Sequence, residues 1–87
     1  MPLIPMTIQQ QLARHIKSKR KLLRLTQAEL AEQADTSQAV IARIEKAEGN
    51  PGADLIQRII TALDFEMVLY VRPQHPQGVV PDWLKQP

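Results

Sequence analysis

Three consecutive residues, Asp35-Thr36-Ser37, lie between two short stretches of helical periodicity and constrain the fold more than anything else in the chain. Asp, Thr and Ser favour caps and turns over helix interiors, because their side chains compete for backbone hydrogen bonds. Asp also tolerates a left-handed backbone better than most residues. Before this turn, residues 26–34 predict a short helix. Thr26 and Glu29 form a T-x-x-E capping box, and Leu30, Ala31 and Ala34 give it a small inward face. After the turn, a second short helix is expected over roughly 38–46, with Ser37 as N-cap and Val40, Ile41 and Ile44 on its apolar side. Gly49-Asn50-Pro51-Gly52 is a turn cluster that stops it.

Two further helices flank this pair. In residues 7–24, Ile8, Leu12, Ile16 and Leu23 recur at three- to four-residue intervals, with Leu22 beside the last and Thr7 as N-cap. Lys17, Lys19, Arg20, Lys21 and Arg24 load its final turns, where cations meet the negative end of the helix dipole. About 53–63, Leu55, Ile59, Ala62 and Leu63 point inward, with Ile56 and Ile60 flanking. The three aromatic residues, Phe65, Tyr70 and Trp83, all follow residue 64, so the core must be aliphatic, which suits closely packed helices. From 65 to 71 the period changes to two. Phe65, Met67, Leu69 and Val71 alternate with Glu66, Val68 and Tyr70, which predicts a strand. A lone strand has unpaired backbone groups. Its simplest partner is the same strand of a second copy in a two-fold homodimer; the alternative is a C-terminal helix of similar length. The expected organisation is an N-terminal arm (1–6), a mainly α four-helix domain (7–63), a dimerisation strand (64–72) and a flexible Pro-rich tail (73–87).

With 87 residues the chain is one domain, and at this size a monomer buries a modest share of its surface. The formal net charge of +2 conceals a polarised molecule. Arg14, Lys17, Lys19, Arg20, Lys21 and Arg24 lie in the first 28 residues with no acid among them, and the acidic side chains all come later. The absence of Cys excludes a disulfide scaffold, an iron–sulfur cluster and a thiolate zinc site. No apolar run approaches the roughly 18 residues a membrane span requires. Met1-Pro2-Leu3-Ile4-Pro5 lacks the order of a signal peptide, so a cytoplasmic protein is expected. His15 and His75 have no nearby carboxylate at ligand or triad spacing, and there is no glycine-rich phosphate loop. The expectation is a protein with no catalytic activity, no cofactor and no metal.

Two short helices joined by a tight turn make the helix-turn-helix arrangement. Counting from Gln27 as the first position, small Ala31 is fifth, Asp35 ninth, Ile41 fifteenth and Ile44 eighteenth. A small fifth residue lets the helices cross closely, the ninth turns the chain, and the last two fill the angle between them. The stretch Lys17–Glu45 (KSKRKLLRLTQAELAEQADTSQAVIARIE) resembles the phage repressor and Cro, or Xre-type, DNA-binding domains, and the likeness spans about residues 8–63. It departs from them at Arg24, Asp35 and Ala47, where that family commonly has Gly. The resemblance implies that the helix after the turn enters the major groove of double-stranded DNA. Gln38 and Arg43 are then the candidate hydrogen-bonding base contacts, to adenine and guanine edges, with Ala39 and Val40 offering apolar contact to a thymine methyl. Gln27 is the candidate for phosphate, joined by Thr26, Ser37, Lys46 and Asn50. Arg20 and Glu45 match a pair that in the family bridges the first helix to the end of the third, a structural role.

A four-helix domain of this kind, followed by a dimerising strand and a short tail with a late Trp, is similar to the HipB-type antitoxins. That resemblance implies a dimer that represses its own operon at a palindromic operator and holds a kinase-fold, HipA-like toxin. Trp83 and Leu84, in an otherwise polar Pro-rich segment, are the candidate partner contacts. Two rivals stand beside it: a stand-alone Xre-type regulator without a toxin, and an interaction module whose DNA binding is vestigial.

Overall fold

Hydroxyl side chains begin three of the four helices in the computed structural model, which describes residues 6–71. The helices are α1 (Ile8–Leu22), α2 (Gln27–Gln33), α3 (Gln38–Glu45) and α4 (Ala53–Ala62). Thr7 Oγ1 accepts from the Gln10 N–H at 3.0 Å while the Thr7 N–H donates to Gln10 Oε1 at 2.9 Å. Thr26 and Glu29 make the same reciprocal pair, at 3.0 and 2.9 Å. Ser37 Oγ accepts from the Val40 N–H at 3.2 Å. Each cap satisfies an amide that the helix itself cannot. The fourth helix starts at Gly52, without a side-chain cap.

All four helices end alike. The residue after each C-cap is left-handed, and none of the four is glycine: Arg24 (φ 59°), Asp35 (φ 56°), Ala47 (φ 59°) and Asp64 (φ 61°). Each end is closed by two backbone hydrogen bonds. After α1, Leu25 donates to the Arg20 carbonyl at 3.1 Å and Arg24 to Lys21 at 3.0 Å. Thr36 to Ala31 and Asp35 to Glu32 close α2, Glu48 to Arg43 and Ala47 to Ile44 close α3, and Phe65 to Ile60 and Asp64 to Thr61 close α4. This pairing uses carbonyls left over in the last turn and requires the left-handed residue between them. The three departures from the family's glycines therefore fall at helix ends where glycine is conformationally favoured.

The core is aliphatic throughout. Ile16, Leu30, Ala31, Ala34, Ile41, Ile44, Ile59 and Leu63 form one buried cluster, edged by half-buried Leu12, Leu25, Val40, Leu55, Ile60 and Ala62. Helix α3 packs on α1 and α2, and α4 packs on α2. Ala31 and Ala34 present little bulk, which lets α2 approach its neighbours closely. Two expected core residues of α1 lie outside it: Ile8 is 76% exposed and Leu23 43%. Ile8 opens the first turn of α1 and Leu23 is its C-cap, so both lie at the ends of the helix and outside the buried cluster. Leu25 occupies the place expected of Leu23, because the left-handed turn at Arg24 sends the chain back over the core.

Residues 65–71 carry no regular structure, and there is no strand among the described residues. A strand is defined by the ladder it makes, and this segment has no partner among the described residues. Phe65, Met67, Leu69 and Val71 are exposed along it, as are Val68 and Tyr70. Residues 1–5 of the expected arm (1–6) and the tail with Trp83 and Leu84 lie outside the described residues. Among the described residues, no helix is long and apolar enough to cross a membrane.

Candidate nucleic-acid interface

The turn between α2 and α3 fixes how α3 is presented. Its left-handed Asp35 is held from outside by Arg58 of α4, whose Nη1 donates to the Ala34 carbonyl at 3.2 Å and the Asp35 carbonyl at 2.9 Å. The same guanidinium has Nε 3.4 Å from Asp54 Oδ2, one turn back along α4, an ion pair with no hydrogen bond at Nε. Residue patterning does not single out Arg58, apart from its four-residue spacing from Asp54. Behind α3, the inward side chains Ile41 and Ile44 are buried. What remains outward is the predicted reading surface.

Gln38, Ala39 and Arg43 are exposed on that surface, while Val40 is half-buried and packs against the core. Ala39, Arg43 and Lys46 follow at intervals of four and three residues, so they share one face. Arg43 lies along the 48–50 loop: a Cβ placed on Gly49, which has φ 77°, would sit 3.3 Å from Arg43 Nη2. That residue is tied to the start of α1 as well, since Gln9 Nε2 donates to the Gly49 carbonyl at 2.5 Å. The loop flanking the reading face is therefore tied to α1 and lies beside Arg43 of α3. Ser37, Lys46 and Asn50 are exposed around it. Thr26 is exposed too, with its hydroxyl oxygen accepting the α2 cap bond.

Arg20 and Glu45 form the expected bridge, in bidentate geometry. Arg20 Nε meets Glu45 Oε2 at 2.6 Å and Nη2 meets Oε1 at 3.0 Å, both side chains being largely buried. A third bond, from Arg20 Nη1 to the Leu25 carbonyl at 2.7 Å, joins the pair to the turn after α1. Gln27 belongs to this cluster, which its assignment to phosphate does not foresee. Its Nε2 donates to Glu45 Oε1 at 3.2 Å, so the first residue of α2 is braced on the last residue of α3. Burial pushes the Glu45 carboxyl up, but hydrogen bonds from Arg20 and Gln27 and the charges of Arg20 and Lys17 outweigh it and hold it below the ordinary carboxylate range. The hydrogen bond to Glu45 likewise raises the Arg20 guanidinium above its ordinary value. The cluster stays ionised and locks α1, α2 and α3 together.

A braced turn, a helix with an exposed polar face and capped amides at its start are the parts of a DNA-reading head. The helix-turn-helix family model HTH_3 matches residues 16–69, most of the chain and all of this head. The chain belongs to this helix-turn-helix family. As an Xre-type helix-turn-helix protein it is a DNA-binding regulator. Among solved structures, it is similar to HipB in a HipA–HipB–O2–O3 complex, with 27% identity and a TM-score of 0.68, over 82% of this chain and 100% of that one. HipB in a complex with an O4 20mer gives the same identity, coverage and TM-score. The restriction-modification controller protein C.AhdI from Aeromonas hydrophila is 22% identical, with a TM-score of 0.64 over 67% of this chain and 84% of that one, a likeness of fold. No curated protein matches the chain.

Proposed function

We propose that this helix-turn-helix protein is a cytoplasmic, homodimeric repressor and the antitoxin of a type II toxin–antitoxin pair. In this reading it autoregulates its operon at a palindromic operator and binds a HipA-type kinase toxin. The observation that carries the antitoxin reading is the likeness to HipB over the whole of that chain, including a structure in which HipB is assembled with HipA. Gln38 and Arg43 read base edges, Ala39 and the exposed edge of Val40 offer apolar contact, and Thr26, Gln27, Ser37, Lys46 and Asn50 approach phosphates. Gln27 keeps one amide hydrogen and its carbonyl oxygen beyond its bond to Glu45.

Selection of duplexes from a random-sequence pool by the full chain, followed by salt-dependent gel shifts, tests the DNA half of this reading. A palindrome with half-sites about one helical turn apart, or a multiple of it, is the expected product. Gln38→Ala should weaken binding by roughly 1–3 kcal/mol and relax preference at one base pair. Unchanged affinity and preference would remove Gln38 from the base contacts. No shift at low salt would leave the interaction-module reading instead. Co-purification from cells tests the toxin half: a kinase-fold partner lost on deleting residues 73–87, with DNA binding retained, is the expected result. Absence of any such partner would point to a stand-alone regulator.

A further inference from the structure

Gln9 sits in the first turn of α1 and reaches the loop after α3, 40 residues further along the chain. We infer that Gln9 and Gly49 are specificity-determining positioning residues, which together hold the guanidinium of Arg43 where it meets a base edge. The inference rests on the DNA-binding reading above, with Arg43 as a base contact. It adds two residues that act through Arg43 rather than by touching a base.

The burial pattern of the first turn singles out Gln9. Ile8 before it and Gln10 and Gln11 after it are exposed, whereas Gln9 is half-buried. An apolar side chain faces solvent there and an amide faces the protein, the reverse of what burial alone favours. The amide has a definite use, since its Nε2 donates to the Gly49 carbonyl at 2.5 Å. Gly49 has φ 77°, a conformation that glycine adopts at no steric cost, and the bond from Gln9 fixes which way its carbonyl points.

Arg43 lies against the same glycine. A Cβ on Gly49 would come 3.3 Å from Nη2 and 3.9 Å from Cζ, so the guanidinium passes close over a residue that leaves it room. Arg43 makes no ion pair among the described residues, so packing on this loop, rather than a counter-charge, places its head group. The Glu48 N–H donates to the Arg43 carbonyl at 2.9 Å, which joins the loop to α3. With Val40, Pro51 and Leu55, Arg43 and Gly49 also line an open cleft of about 170 Å³ between α3 and the start of α4. A bidentate pair with guanine needs the planar fork of arginine in one orientation, and the side chain carries much rotamer freedom. Holding the loop holds the fork. Releasing the Gly49 carbonyl from Gln9 frees the loop to shift towards the cleft and takes the support of Arg43 with it.

The experiment measures discrimination at single base pairs, with the full chain on a duplex selected from a random pool and on duplexes changed one pair at a time. A ratio of affinities for two duplexes cancels any loss of folded protein. Arg43→Ala identifies the pair that Arg43 reads, through a loss of discrimination of about five- to a hundred-fold there. Gln9→Met keeps the bulk and loses the donor; it should lower discrimination at that same pair by at least about two-fold and leave the other pairs unchanged. Gly49→Ala, which presses on the guanidinium directly, should do the same more strongly. On an Arg43→Ala background neither change should alter any ratio further, because the group they position is gone. A Gln9→Met variant with wild-type discrimination at that pair, or an effect that persisted on the Arg43→Ala background, would overturn the positioning role and leave Arg43 a base contact. An Arg43→Ala variant with unchanged preference at every pair would remove that base contact and the positioning role with it. A wild-type chain that bound no duplex would overturn the DNA-binding reading as a whole.

Discussion

Ala47 has the least suitable side chain of the four left-handed residues that close the helices. A left-handed backbone costs an L-residue about 1–2 kcal/mol, and Asp offsets part of this with local hydrogen bonds that Ala lacks. Glycine removes the clash but gives back some of the gain through unfolded-state entropy. Ala47→Gly should therefore stabilise the protein by about 1 kcal/mol, Arg24→Gly similarly, and Asp35→Gly and Asp64→Gly by less. Urea midpoints of the four variants give the ordering, and a larger gain at the Asp positions would refute it. Glu45 is the other residue whose chemistry reaches stability directly. Its folded pKa lies below the unfolded value of about 4.3, so its contribution is complete well above that pH and is lost as pH falls through the folded pKa. Glu45→Gln should cost on the order of 3 kcal/mol at neutral pH, because Arg20 is left buried without a counter-charge. It should also flatten the acid limb of a plot of melting temperature against pH. Melts that kept the wild-type acid limb would place that titration elsewhere.

At the scale of elements, Arg58 connects α4 to the turn that aims α3. Arg58→Met keeps the bulk but removes both bonds to the turn carbonyls, and should cost about 1–2 kcal/mol. Hydrogen exchange at the Thr36 amide, which closes α2 by bonding to Ala31, should quicken beyond the change in global stability. Faster exchange confined to α4 would mean that Arg58 serves its own helix through Asp54. The helix starts were legible in the sequence because a cap is a local code: Thr26 with Glu29, or Ser37 before Gln38, states its own geometry. The buried face of the paired helices was legible for the same reason, since Leu30, Ala31, Ala34, Ile41 and Ile44 repeat at helical intervals. The exposure of Ile8 was not, because it sits in the first turn of α1 and its burial depends on which other elements reach that turn. Hydrogen bonds such as Arg58 to Asp35, Gln9 to Gly49 and Gln27 to Glu45 join residues far apart in the chain through side chains that no period marks. Those hydrogen bonds support the turn and the loop beside the candidate residues, and that support was not legible in the sequence.

On the scale of the whole molecule, the segment 65–71 leaves most in need of a partner. Lys19 Nζ lies 5.2 Å from the Phe65 ring centroid, a cation–π contact that fixes the start of the segment against α1. Beyond it the apolar side chains are open to solvent, with Val71 88% exposed, and the backbone has no ladder. A small chain with a purely aliphatic core gains much by covering such a segment with a second copy. Period-two alternation makes the proposed pairing testable face by face, because alternate residues of a strand point to opposite sides. Met67→Asp with Leu69→Asp should give a monomer by sedimentation at micromolar concentration and lower affinity for a palindromic duplex towards that of one half-site. Val68→Asp with Tyr70→Asp, on the other face, should leave the dimer largely intact. Neither pair belongs to the buried cluster, so the helical circular dichroism of both variants should match the wild type and loss of the dimer can be read separately from loss of the fold. Equal loss from both pairs would argue against a strand with one buried face, and a monomeric wild-type chain would remove the dimer itself.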